Sequence, residues 1–382
     1  MPHLLSAGCY ALRFAFLIFK YFPYGGVQRD MLRIAKDCVS KGHQVTIYTG
    51  SWRGDAPPDN IRVELLKARG ILNHQRHQSL IDGMAASIQR DAPDLIVGFN
   101  RMPGLDVYYA ADPCFLERAH HDRGWWYRFS GRYRFFAGTE RAVFGAEGRC
   151  HVLLLSSRDL HTFQRWYQTP AERFHILPPS IPDFAVFDRA RQRHALRQEF
   201  GLPEQANVLL MVGSAFVRKG LDRSIRALAA LPQRLLDNTW LLAVGEDRAE
   251  PMTKLARELG VADRVIITAG RHDVAQLMQG ADVLMHLARS ELAGIVIIEA
   301  LTVGLPVMVT AACGYAQHVA DAEAGRVLPE PYDQVHCQQQ LAELLDRNVL
   351  AACSAAGMRY TATIAAQHSA TLEADLLEHY AR

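Results

Sequence analysis

Two adjacent cations, Arg218 and Lys219, stand in the run Gly213-Ser214-Ala215-Phe216-Val217-Arg218-Lys219-Gly220. A diphosphate needs neutralising charge, which an arginine supplies through two parallel hydrogen bonds and a lysine supplies as a point charge. Surface Arg-Lys pairs are common, so position has to decide. This pair follows an apolar run and a glycine, where a strand should give way to a helix. The more specific signal is the Glu-x7-Glu segment Glu291–Glu299. Glu299 lies inside GIVIIEALTVGLPVMV, an apolar stretch that must be buried. A carboxylate there is expensive unless it accepts good hydrogen bonds, and sugar hydroxyls are ready donors. Glu291 stands on the loop ahead of that helix, whose first free amides come from Gly294, Ile295 and Val296. One turn of chain thus offers acceptors to hydroxyls and donors to phosphate. A structural pairing of Glu299 with neighbouring backbone is the plainer alternative.

A third candidate is Tyr24-Gly25-Gly26-Val27, between a first strand and a first helix. Paired glycines let a ligand approach the backbone closely. The run is no GxGxxG fingerprint, and a tight turn explains it equally well. The fourth candidate is Glu117–Val143, where Arg118, Arg123, Arg128, Arg132, Arg134 and Arg141 interleave with Trp125, Trp126, Tyr127, Phe129, Tyr133, Phe135 and Phe136. Arginine mixed with aromatic residues suits an anionic membrane surface or a single-stranded nucleic acid. No recognisable nucleic-acid-binding motif accompanies it, which favours lipid; an ordinary helix with buried rings and solvated arginines is the alternative.

The elements that must position these residues are clearest in the second half. NVLLMVG, TWLLAVG, RVIITAG, DVLMHLA and LPVMVT alternate with LDRSIRALAALP, AEPMTKLARELG, DVAQLMQGA and GIVIIEALTVG. Short apolar runs bounded by glycine predict buried parallel strands, and the segments between them have helical period. The first half repeats the rhythm in RFAFLIF, a helix near Val27–Val39, QVTIYTG, DLIVGF and VLLLSS. The fold class is therefore α/β, with two doubly wound parallel-sheet domains of Rossmann type. HILPPSIPD (His175–Asp183) predicts a linker, and Ala351–Arg382 predicts continuous helix.

Composition agrees with two soluble domains: 382 residues, 49% hydrophobic and 21% charged. No run of apolar residues is long enough to span a bilayer. The N-terminal apolar run carries Arg13 and ends in Lys20, so it reads as a first strand rather than a signal peptide, and the residues before Leu12 as a loose extension. Seven scattered cysteines without CxxC spacing argue against a zinc ribbon or a disulfide framework and suit a reducing compartment. Residues 1–175 hold 23 Lys and Arg against 16 Asp and Glu, whereas the remainder holds 19 against 24. A basic first half suits an anionic partner. GxxxxGK[ST], HExxH, GxSxG and DxD are all absent, so a nucleotide sugar would rely on Arg218 and Lys219 in place of a metal.

Taken together, the RKG loop, Glu291–Glu299 and Gly25-Gly26 resemble the retaining glycosyltransferases of the GT-B fold, family 4. FKYFPYGGVQRDMLRIA, VGFNRMPGLDVYYAAD, YQTPAERFHILPPSI and VGSAFVRKGLDRSI are similar more narrowly to the lipopolysaccharide core glucosyltransferases. The resemblance implies an acceptor-side domain over 12–178 and a nucleotide-sugar domain over 184–360, facing across a cleft, with a helix near 362–382 packing back on the first. It implies α-1,3 transfer of glucose from UDP-glucose, as co-substrate, to heptose II of the inner core, with retention of configuration and no metal or other cofactor. Arg218 and Lys219 would hold the diphosphate, Glu299 the ribose, and Glu291 with Ala293, Gly294, Ile295 and Val296 the glucose and phosphate. Gly25 and Gly26 would close over the donor. Asp106 is the favoured acceptor-side polar residue, with Asp112 its rival. Arg123, Trp125, Trp126, Arg128, Arg132 and Arg134 would touch the inner face of the cytoplasmic membrane. The alternatives are another nucleotide sugar or glycolipid acceptor, or a GT-B sugar-nucleotide epimerase, which would need no membrane surface. The linker and the Asn73–Arg90 stretch match weakly.

Overall fold

The computed structural model describes residues 11–23, 25–181, 188–367, 369 and 371–381. The expected N-terminal extension, most of residues 1–11, and the end of the expected linker lie outside them, as does Tyr24. The chain divides into two compact units: the first ends at Leu177 and takes the chain back at Thr371, and the second runs Pro178–Ala370.

In the first unit the strands are β1 (Arg13–Ile18), β2 (Gln44–Thr49), β3 (Ile61–Leu65), β4 (Leu95–Gly98), β5 (Val107–Ala110), β6 (His151–Leu154) and β7 (Phe174–Ile176). They form one sheet in the order β3-β2-β1-β4-β5-β6-β7, and every pair is parallel. Alternate residues of β1 feed opposite faces. Phe14, Phe16 and Ile18 join the core under the helix Gly26–Ser40, while Ala15 and Leu17 join the other. A sheet covered on both sides leaves no polar face, so its central strands β1 and β4 read as apolar runs.

The second unit holds β8 (Asn207–Val212), β9 (Thr239–Val244), β10 (Val265–Thr268), β11 (Val283–His286), β12 (Val307–Thr310) and β13 (Gly325–Leu328). Their order is β10-β9-β8-β11-β12-β13, again parallel throughout. Each sheet reverses its winding once, between β1 and β4 and between β8 and β11. Ligands of such sheets bind beyond the carboxyl ends of the strands at that reversal.

Two expectations are corrected. The linker passage does not begin at His175, because His175 and Ile176 belong to β7 and pair with Leu153 and Leu154. The C-terminal stretch is two helices, Arg347–Gln367 and Leu372–Tyr380, and the chain passes between the units where they part. The last helix buries Ala374 and Leu377 in the core of the first unit. It is also pinned by charge: Glu373 pairs with Arg33 at 2.5 Å, and Glu378 with Lys41 at 2.6 Å. Leu377 alone stabilises this docking by about 1.5–3 kcal/mol, the usual value for a fully buried leucine.

Candidate active site

The loops that leave β8 and β11 meet backbone to backbone. After β8 the chain turns through three left-handed residues, Gly213 (φ +132°), Ala215 (φ +61°) and Gly220 (φ +79°). A Cβ on Gly220 would stand 2.0 Å from the carbonyl oxygen of Leu287, so only glycine lets the two loops approach. Several bonds then fix the short helix Phe216–Lys219 between them. The Phe216 amide donates to Asp247 at 2.7 Å, and the Arg289 amide donates to the Arg218 carbonyl at 2.8 Å. The Arg289 guanidinium grips Asp222 through two bonds of 2.8 and 2.7 Å.

Arg218 and Lys219, so placed, converge on one oxygen of Glu291. Arg218 Nη1 lies 2.9 Å from Oε2 and also donates to the Ser290 carbonyl at 3.2 Å, and Lys219 Nζ binds the same Oε2. The segment after β12 holds the Glu291 loop from behind. Gly314 donates its amide to the Glu291 carbonyl at 3.1 Å, and Tyr315 to the Ala293 carbonyl at 2.8 Å. Gly294, at φ +93°, then turns the chain into the helix Ile295–Thr302, whose first amides lack helical partners. Ala293, Gly294 and Val296 are buried, and Glu299 is buried in the second turn of that helix.

Sequence reasoning passed over His286, the last residue of β11. It is fully buried, and neither ring nitrogen has a hydrogen-bond partner among the described residues. Burial, then the neighbouring Lys219, pushes its pKa down to about 3, so it is neutral at physiological pH. A neutral imidazole behind Lys219 and Glu291 adds no competing positive charge. A lone histidine at a strand end gives no sequence signal. Only the burial around it marks it out.

The Glu291 carboxyl would be raised by burial, but Lys219 and Arg218 outweigh that and hold it below the usual glutamate range. A carboxyl depressed by folding contributes stability above its unfolded pKa and loses it as pH falls through the folded value. Acid titration of the second unit should therefore show a loss of stability beginning below about pH 4.3, the unperturbed glutamate value. Glu291→Gln should flatten that part of the profile in a denaturant midpoint series. An unchanged slope would mean the ion pair is not formed in solution.

The remaining expected site residues lie in the first unit. Gly25 and Gly26 begin the helix Gly26–Ser40 beside the winding reversal, and Arg29 donates its amide to the Gly25 carbonyl at 3.0 Å. Asp106 stands at the end of the sheet away from Gly25 and Gly26. It precedes β5, at the amino edge of the sheet, where its carboxylate accepts the Ile96 amide at 2.8 Å and its carbonyl accepts the His151 amide. It staples three strands at that edge. Asp112, exposed just beyond the carboxyl end of β5, stands on the opposite edge, where ligands of such sheets bind.

In the fourth candidate segment the helix Phe115–Asp122 leads into a turn, Trp125–Phe129, and then into the helix Gly131–Phe144. Trp125 (72%), Trp126 (67%) and Phe129 (71%) project into solvent, whereas Tyr133, Phe135 and Phe136 are half-buried. Arg123, Arg128, Arg132 and Arg134 are exposed around them, with the Arg132 guanidinium 5.2 Å from the Phe136 ring centre. Exposed tryptophans side by side are rare on a surface with no partner. Among the described residues no helix is long and apolar enough to cross a membrane, and no group of three His, Cys, Asp or Glu could hold a metal ion.

Residues 24–183 match Glycosyltransferase Family 4 and residues 192–358 match Glycosyl transferases group 1. The chain is 44% identical over 352 residues to the lipopolysaccharide glucosyltransferase WaaG of Escherichia coli (strain K12), covering 91% of this chain and 93% of that one. A crystal structure of WaaG, described as a glycosyltransferase involved in lipopolysaccharide biosynthesis, superimposes with a TM-score of 0.89 at 42% identity. It covers 95% of this chain and 99% of its own. The structure of Anabaena Alr3699/HepE in complex with UDP-glucose has the same fold at a TM-score of 0.71 and 18% identity, covering 96% and 98% of the two chains.

Proposed function

The chain belongs to the family 4 glycosyltransferases of GT-B fold, in the family of the lipopolysaccharide glucosyltransferases, and on that premise we propose that it moves glucose from UDP-glucose to heptose II of the lipopolysaccharide inner core. The linkage formed is α-1,3, with retention of configuration. The observation that carries this reading is the convergence of Arg218 and Lys219 on Glu291 where the second sheet reverses its winding.

In the reaction we read, the diphosphate takes over from Glu291 as counter-charge of both cations. Arg218 grips it through its planar fork and Lys219 as a point charge. The freed Glu291 carboxylate then accepts hydroxyls of the glucose, and the amides of Gly294, Ile295 and Val296 meet the phosphate at the helix start. Glu299 takes the ribose hydroxyls. The bond from glucose C1 to the UDP oxygen breaks as the acceptor oxygen bonds to C1 on the same face. The departing phosphate oxygen takes the acceptor proton. Protein catalysis is then chiefly stabilisation of charge on UDP, with Arg218 and Lys219 in the role that a metal ion plays in DxD enzymes.

The decisive experiment supplies radiolabelled UDP-glucose, and UDP-galactose in parallel, to lipopolysaccharide truncated after the heptoses. Glucose incorporation that disappears in Glu291→Ala is the expected result. Binding of UDP without transfer of either sugar would reject the acceptor.

Support for a membrane-surface location comes from the Trp125, Trp126 and Phe129 face and its arginine rim. Interfacial aromatic rings and surrounding cations bind anionic bilayers through apolar burial and charge together. Replacing the three rings by alanine should lower sedimentation with phosphatidylglycerol vesicles by about tenfold or more, since each ring contributes apolar burial. Wild-type binding that is equal on purely zwitterionic vesicles would count against the charge component.

A further inference from the structure

A buried polar cluster in the first unit lies outside the donor site and centres on Glu140, in the helix Gly131–Phe144. Its side chain is wholly buried. The carboxylate accepts the amides of Phe115 at 2.7 Å and Leu116 at 3.0 Å, the hydroxyl of Tyr167 at 2.5 Å and the thiol of Cys114 at 3.7 Å. It also pairs with Arg101 Nη1 at 2.5 Å. Arg101 uses its other terminal nitrogen to donate to the carbonyls of Asp112 and Pro113, the latter at 2.8 Å. Two side chains therefore tie down the backbone from Asp112 to Leu116.

Stability alone does not explain this cluster. A buried ion pair is often no better than apolar residues of the same volume, because desolvating both charges offsets their attraction. What the pair does provide is geometry. Arg101 follows β4 and Asp112 follows β5, so the fork spans two loops on the ligand edge of the sheet. Glu140 refers the same loop to the helix that comes directly after the exposed Trp125–Phe129 turn.

We propose that the Arg101–Glu140 pair is a positioning device for the acceptor. It holds the Asp112 loop at a fixed place relative to the aromatic face, so that a sugar whose lipid end rests on that face meets Asp112 in register. The inference rests on the glucosyl transfer proposed above. Neither Arg101 nor Glu140 touches the acceptor; both act through Asp112.

The test is steady-state transfer to heptose-terminated lipopolysaccharide with Arg101→Lys, which keeps the charge but loses the fork. The expected result is a fall in kcat/KM for the acceptor of about ten- to a hundredfold, the scale of a misplaced reacting group, with KM for UDP-glucose and UDP affinity by titration unchanged. Tyr167→Phe, a milder change that keeps the ion pair, should move the acceptor constants in the same direction by less. In a double-mutant cycle with Asp112→Asn, the losses should fail to multiply, because both changes disable one element. If the effects multiply independently, or if UDP affinity falls along with acceptor use, the pair is merely structural and the inference is overturned. If the wild type binds UDP-glucose but gives no glucose to this acceptor, the functional reading fails, and the positioning role fails with it.

Discussion

Lys219→Ala is expected to lower glucose transfer by about two to three orders of magnitude, the range for losing one preorganised charge-stabilising donor. Lys219 is largely buried beside Glu291, and Arg218, already on the same carboxylate, supplies only its own charge there. The loss should appear in UDP binding as well. Wild-type protein gains thermal stability with UDP by mass action, and Lys219→Ala should lose most of that shift. Glu291→Ala separates the two roles. It removes the counter-charge of both cations, so UDP should bind at least as tightly as to the wild type, while transfer still collapses because the glucose hydroxyls lose their acceptor. Parallel measurement of UDP affinity and of kcat for both variants checks the pair of expectations. Equal loss of UDP binding in both would mean that Glu291 serves only to hold the loop.

Gly220→Ala carries the second largest expected effect, and it acts through backbone rather than charge. A side chain at φ +79° is strained, and its Cβ would be driven into the Leu287 carbonyl at 2.0 Å. A left-handed residue other than glycine costs about 1–3 kcal/mol. Parting the two loops to relieve the clash breaks the Arg289 amide bond to the Arg218 carbonyl. The variant should therefore lose stability in denaturant and also lose UDP affinity, because Arg218 and Glu291 are carried by the two loops it separates. A control such as Gly201→Ala, also left-handed but with open space around its Cβ, should show the strain without the loss of UDP binding. Matching UDP affinity in both variants would show that the loop contact is dispensable.

Legibility in the sequence followed burial. The strands of the second sheet were visible because β8, β9, β11 and β12 are covered on both faces and are apolar except for one terminal residue each. Four others escaped notice, and one of them, β7, lay at the start of the passage read as a linker. β3 and β13 are edge strands carrying Arg62, Glu64 and Arg326, and charged edge strands look like loops. β5 is only Val107–Ala110, hidden inside a run read as a motif. The break between the last two helices was also invisible, since both sides of it have helical composition and the cause is the passage of the chain from one unit to the other.

The chemistry divided in the same way. By itself the sequence determined which residue types are present, their local spacing and the kind of element they sit on. Those are properties of a few neighbouring residues, and they sufficed to single out Arg218, Lys219 and Glu291. Tertiary structure decided which of these meet. Lys219 reaches the Glu291 carboxylate across 72 positions of chain only because the crossover puts β11 beside β8. It also set Asp106 and Asp112, which flank the same strand, at opposite edges of the sheet. Strand direction sends one to the amino edge and the other to the carboxyl edge, and a six-residue spacing carries no record of which edge a ligand will use. His286 and Glu140 acquire meaning only from what encloses them. The free energy of a buried polar group is set by its partners, and those partners come from distant parts of the chain.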